Sequence, residues 1–131
     1  MKLSFRFLNR CWDLSLFCQM ILNGGVFRGR RYLSAAAIKE MTTVNTAVLL
    51  GKNGNGYGLG WSVSNRPHDS GDDLANAGAF GHGGAYSTDM QIDLQHQLIT
   101  IYLVQHAGYP GKRGGEILPA FRKAALDAAT R

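Results

Sequence analysis

The chain has 131 residues, 45% of them hydrophobic and 18% charged, with a formal net charge of +5. That size suits one domain able to bury roughly two thirds of its unfolded surface. It excludes a membrane-spanning helix, because no apolar run approaches the ~20 residues a bilayer requires. Basic residues are spread thinly: Arg28, Arg30 and Arg31 form one group, Lys112 and Arg113 another. Neither makes a continuous basic face with interleaved aromatics, so a nucleic-acid partner is not expected. Arg6, Asn9 and Arg10 interrupt the apolar character of the N-terminus, which argues against a signal peptide and leaves the compartment open.

Asp13 is placed to N-cap a helix of about ten residues. Leu14, Phe17, Cys18 and Ile21 recur on its apolar stripe, and Gly24-Gly25 ends it. Cys11 and Cys18, seven positions apart on one helix, stand roughly 10 Å apart, too far for a disulfide. With no CxxC or nearby His pair, no metal site and no cofactor are expected, and Cys18 reads as a core thiol. Val26 to Leu33 reads as a hairpin around Gly29. Ser34 then caps a short helix from Ala35 to about Met41, with Ile38 and Met41 inward.

Gly51 to Gly60 holds five glycines but matches neither GxxxxGK[ST] nor GxGxxG, so no phosphate loop is supported. It reads as a loop entering a strand from Tyr57 to Ser64, with Trp61 against the sheet. Asn65 to Gly78 is polar and reads as an exposed loop. Met90, Ile92 and Leu94 alternate with Asp89, Gln91 and Asp93, which predicts one buried and one wet face. Leu98 to Val104 is nearly all apolar and predicts a central strand covered on both sides, joined through Gln95-His96-Gln97. A last helix is expected from about Gly115 to Ala129, with Ile117, Phe121, Ala124 and Ala128 inward and Pro119 in its first turn. The sum is an α+β fold, an antiparallel β-sheet with N- and C-terminal helices packed on it.

Chemistry concentrates in Phe80-Gly81-His82-Gly83-Gly84-Ala85-Tyr86-Ser87-Thr88-Asp89-Met90. Taken alone, a histidine in a glycine-rich turn is more often structural, and the glycines could mark a bulged or bent edge strand. Order along the chain changes this reading. The block Asp13 to Gly25, Leu33-Ser34 with Met41-Thr42-Thr43, Tyr57-Gly58-Leu59-Gly60-Trp61, Phe80 to Gly84 and the strand pair after it fall in one sequence of landmarks. Together they resemble the C-terminal part of the serine β-lactamase, penicillin-binding protein and class C-like esterase superfamily. Residues 13–131 are then the C-terminal portion of a β-lactamase-like domain, and residues 1–12 an irregular segment.

The resemblance implies a site. His82 stands where relatives carry the Lys or His of a triplet that serves the catalytic network. The N–H of Ala85 would be one oxyanion-hole donor, and Gly83, Gly84, Tyr86 and Ser87 would lie against a small acyl substrate: a β-lactam, a D-Ala-D-Ala peptide or an ester. The nucleophile is missing. No serine is followed three positions later by lysine, and no Tyr-x-Asn occurs. The expectation is a fragment of a hydrolase, inactive alone, its frame opened by a frameshift or an internal start. The alternative is a non-catalytic binding or structural module that complements another chain. In relatives N-terminal strands complete the sheet, so an unpaired strand edge and self-association into a homo-oligomer are expected here.

Overall fold

The computed structural model describes residues 11–43, 56–64, 78–106 and 114–130. The expected irregular segment up to residue 10 and nearly all of the Asn65–Gly78 loop lie outside them. Among the described residues the order is α1 (Cys11–Leu22), β1 (Val26–Phe27), β2 (Arg30–Arg31), α2 (Ala35–Thr42), β3 (Gly56–Tyr57), β4 (Ser62–Val63), β5 (Phe80–Gly83), β6 (Asp89–Asp93), β7 (Leu98–Tyr102) and α3 (Gly114–Ala129). The strands β3 to β7 form one antiparallel meander in sequence order, and β1 pairs with β2. This is the α+β arrangement expected.

The helix α1 begins two residues earlier than expected, at Cys11, so Asp13 lies in its first turn rather than at the cap. There its carboxylate still meets the positive end of the helix dipole. The C-terminus closes as a Schellman motif: Gly25 N–H donates to Met20 O at 2.9 Å and Gly24 N–H to Ile21 O at 2.9 Å. Both glycines take positive φ, 64° and 90°. At Gly25 a side chain would also strike the carbonyl of Leu33. The hairpin around Gly29 forms with Arg28 and Gly29 at φ 48° and 76°, the two-residue turn that matches strand twist. Ser34 caps α2, its Oγ accepting from Ala37 N–H at 3.0 Å.

Both helices serve one face of the sheet. Cys18 and Ile21 of α1 and Ile38 of α2 close over Trp61, Val63, Phe80 and Ile92. Trp61 is held in a stack with Phe17 (6.0 Å) and edge-on to Phe80 (5.2 Å). The helix α3 covers the other face, where Phe121 packs on Tyr102 at 5.4 Å.

Several expectations need correction. The single strand Tyr57–Ser64 is instead a hairpin, because Gly60 takes φ 80° and turns the chain so that Tyr57 pairs with Ser62. Asp89 and Asp93 are buried, and the predicted wet face of β6 lies under α3; Leu94 falls in the following turn and is exposed. The strand β7 is covered by helices on both sides, as its apolar run predicts, but among the described residues it is the sheet's edge rather than a central strand. On α3 the inward row is Leu118, Phe121, Arg122, Ala125 and Leu126, while Ile117, Ala124 and Ala128 are exposed. Pro119 is the sixth residue of that helix, past its first turn, where it cannot donate to the carbonyl of Gly115.

Candidate functional site

The site region is the end of β5 and the turn that returns the chain into β6. Register fixes its geometry: His82 faces Met90 and Gly83 faces Asp89. Alternation along β5 sends Phe80 and His82 to the face shared with α1. Phe80 is sealed there, while His82 lies beyond the helices and is exposed. Its ring meets the ring of Tyr57 edge-on at 6.2 Å. Its Nδ1 lies 2.6 Å from the carbonyl of Gly83. A carbonyl only accepts, so Nδ1 is the donor in this contact, which leaves Nε2 as the ring nitrogen that carries the lone pair whenever the ring is uncharged. That lone pair can accept or relay a proton.

The three glycines differ in what they are for. A side chain at Gly81 would run into the carbonyl of Met90 on the neighbouring strand. At Gly84 it would meet the hydroxyl of Thr88. Those two serve the chain's own packing. At Gly83 a Cβ would find only ordinary contacts, 3.7 Å from Thr88 O and 3.9 Å from Asp89 Oδ1. The bareness of Gly83 is therefore surplus to the fold. It leaves the exposed strand backbone open to close approach from outside.

The turn Gly84–Thr88 is closed by Gly84 N–H to Thr88 O (2.8 Å) and Ser87 N–H to Gly84 O (3.1 Å). The N–H of Ala85 at the tip has no backbone acceptor among the described residues, and Ala85 and Tyr86 are exposed. Ser87 is different. It is buried, it takes φ 63°, and its Oγ donates to the carbonyl of His106 at 3.0 Å. The N–H of His106 in turn donates to Tyr86 O at 3.2 Å. The serine hydroxyl thus clamps the turn to the segment after β7.

Two contributors escaped the sequence reading. Tyr57 lies beside His82 because the Gly58–Gly60 turn folds β3 back onto β4 and hence towards β5. Arg122 reaches from α3 to Asp89 at 2.9 Å, directly behind Gly83. A hollow of about 90 Å³ opens beside that pair, floored by Gly81 and Gly83 and edged by Ser62, Ser64 and Gln91. Arg122 is the one charged residue among the half-buried positions Leu118, Phe121, Arg122, Ala125 and Leu126 of α3. Among the described residues no group of three or more His, Cys, Asp or Glu side chains gathers as a metal site. No helix among them is long and apolar enough to cross a membrane.

The Beta-lactamase family profile matches residues 12–121. The chain belongs to the β-lactamase family. Among solved structures it is similar to a β-lactamase from Mycobacterium bovis, at 25% identity and a TM-score of 0.68 over 92% of this chain. It spans 44% of that protein's length. A search of curated proteins found no match. The family assignment covers every element from α1 to the middle of α3, and so includes the whole β5–β6 turn.

Proposed function

We propose that this chain supplies one wall of a serine acyl-transfer site and is inactive by itself. The observation that carries this reading is the end of β5: an exposed His82, a bare Gly83, and the N–H of Ala85 at the tip, which has no backbone acceptor among the described residues. Gly83 and Gly84 would let a small acyl substrate lie along the strand. The Ala85 N–H would donate to the oxygen on which charge develops during attack, a role whose removal costs on the order of 3–4 kcal/mol of barrier. Tyr86, exposed beside it, would border the substrate, and Ser87 would hold the turn in shape through His106. His82 would accept or return a proton at Nε2.

The nucleophile has no candidate in the 131 residues, since no Ser-x-x-Lys occurs. The chain spans 44% of the length of its structural relative, which is compatible with reading residues 13–131 as the C-terminal portion of a β-lactamase-like domain. Substrates handled by such a domain, whether β-lactam, peptide or ester, remain attributes of the completed site. The test is covalent labelling. A fluorescent penicillin or an activated ester should leave the purified chain unlabelled, and should label it only when a second polypeptide bearing a Ser-x-x-Lys is co-folded with it. Stoichiometric labelling of the chain alone would overturn the inactive reading. Failure of any serine-bearing partner to restore acylation would favour a non-catalytic module.

A further inference from the structure

Beneath α3 lies a small polar cavity, apart from the exposed end of β5. Its volume is about 10 Å³, and its walls are Gln91 and Asp93 of β6, Leu98 and Thr100 of β7, and Arg122 and Leu126 of α3. Register sets Gln91 against Thr100, so alternation puts both on the face that carries Asp89 and receives Arg122. Two buried polar atoms belong to the residues of this one cavity, and neither has a hydrogen-bond partner among the described residues: Thr100 Oγ1 and Arg122 Nε. Arg122 gives its Nη2 to Asp89 at 2.9 Å, but its Nε–H reaches no acceptor. The nearby carboxylate of Asp93 is already engaged. Its Oδ1 accepts from the N–H groups of Gln95 and His96, and its Oδ2 lies 2.8 Å from His96 Nδ1. Buried polar atoms are normally paired, and two orphans on one cavity call for a shared partner.

We infer that the cavity holds one water molecule, which accepts from Arg122 Nε–H and exchanges a hydrogen bond with Thr100 Oγ1. The bridge ties α3 to β6 and β7. Size and charge select this occupant. The volume admits a single water and nothing larger. A cation would meet the Arg122 guanidinium, and an anion would meet the buried carboxylates of Asp89 and Asp93 on the same face. The guest must therefore be neutral. It must also accept, because a guanidinium only donates, while the threonine hydroxyl can do either. Gln91 adds a third polar group to the wall. The hollow of about 90 Å³ behind Gly83 shares Gln91 and Arg122 with this cavity, which gives the water a route in. The inference does not depend on the acyl-transfer reading.

The test uses the whole chain and two variants. A crystal structure at a resolution that shows ordered solvent should place a water within hydrogen-bond reach of both Thr100 Oγ1 and Arg122 Nε. Thr100→Val keeps the shape of the side chain and removes the hydroxyl, so it should lower the urea midpoint by breaking the bridge. For a hydroxyl that is simply unpaired, the same substitution would raise the midpoint or leave it unchanged. Arg122→Lys keeps a cation for Asp89 but has no Nε–H. Its loss should shrink in the Thr100→Val background, because both groups act through one water. Far-ultraviolet circular dichroism shows that each variant is folded before its midpoint is compared. Any one of three results overturns the inference: density without a water joining the two atoms, a Thr100→Val midpoint at or above the parent's, or additive losses in the double variant.

Discussion

Arg122 and Asp89 meet at 2.9 Å with their side chains only 17% and 10% exposed, joining the C-terminal helix to the strand residue opposite Gly83. An ion pair this sheltered contributes little net stability compared with an apolar pair, but breaking it leaves a charge stranded. Arg122→Ala and Asp89→Asn should each lower unfolding free energy by about 2–4 kcal/mol. Urea denaturation checks this, and the double variant should fall well short of the sum. Additive losses would mean that the two side chains do not act as a pair.

The glycines separate by substitution. Gly81→Ala should destabilise by roughly 1–3 kcal/mol, because the Met90 carbonyl that a Cβ would strike is held in the β5–β6 ladder. Gly83→Ala should be neutral or stabilising by up to about 0.5 kcal/mol through reduced unfolded-state entropy. Thermal melts of the two variants are the measurement. Equal losses would contradict the distinction between a glycine the fold requires and one left bare for an outside group.

Ser87 combines a strained backbone with a useful hydroxyl. Ser87→Ala keeps φ 63° and loses the bond to His106 O, so it should cost about 1–2 kcal/mol. Ser87→Gly relieves the strain while losing the same bond and should cost less. The order of the two urea midpoints decides the matter.

The cysteines should behave as opposites. Cys11 is exposed and Cys18 fully buried, its Sγ donating to Met90 Sδ at 3.4 Å. Burial pushes the Cys18 thiol up to about 11, outweighing a backbone hydrogen bond that lowers it. A thiol reagent should modify one cysteine in the native protein and both after denaturation. Because the folded thiol keeps its proton to higher pH than the unfolded one, its contribution is whole below the ordinary thiol range. It fades as pH rises towards about 11, a loss on the order of 2 kcal/mol. Cys18→Val should lack this portion of the alkaline decline in stability. A variant with the same alkaline profile as the parent would show that Cys18 is not its source.

Local rules made much of the framework readable. The Gly24-Gly25 cap, the Arg28-Gly29 turn, the Ser34 cap and the β6–β7 connection each depend on a few neighbouring residues, and each lies where its residues point. The Leu98–Tyr102 run predicted cover on both faces for the same reason, since apolar side chains on both sides of a strand require it. Misreadings arose where a distant element intervened. Asp89 reads as a solvent residue until Arg122 arrives from α3 to meet it.

The β5 segment shows the same division. Its composition alone marked Phe80–Met90 as the place where backbone comes close to something, because glycine permits approaches that other residues forbid. Composition could not say which glycine served the fold. Only the strand register brought Met90 against Gly81 and left Gly83 clear, turned Ser87 inward to His106, and set Tyr57 beside His82. Those relationships join residues far apart in the chain, and packing creates them only once the sheet is assembled.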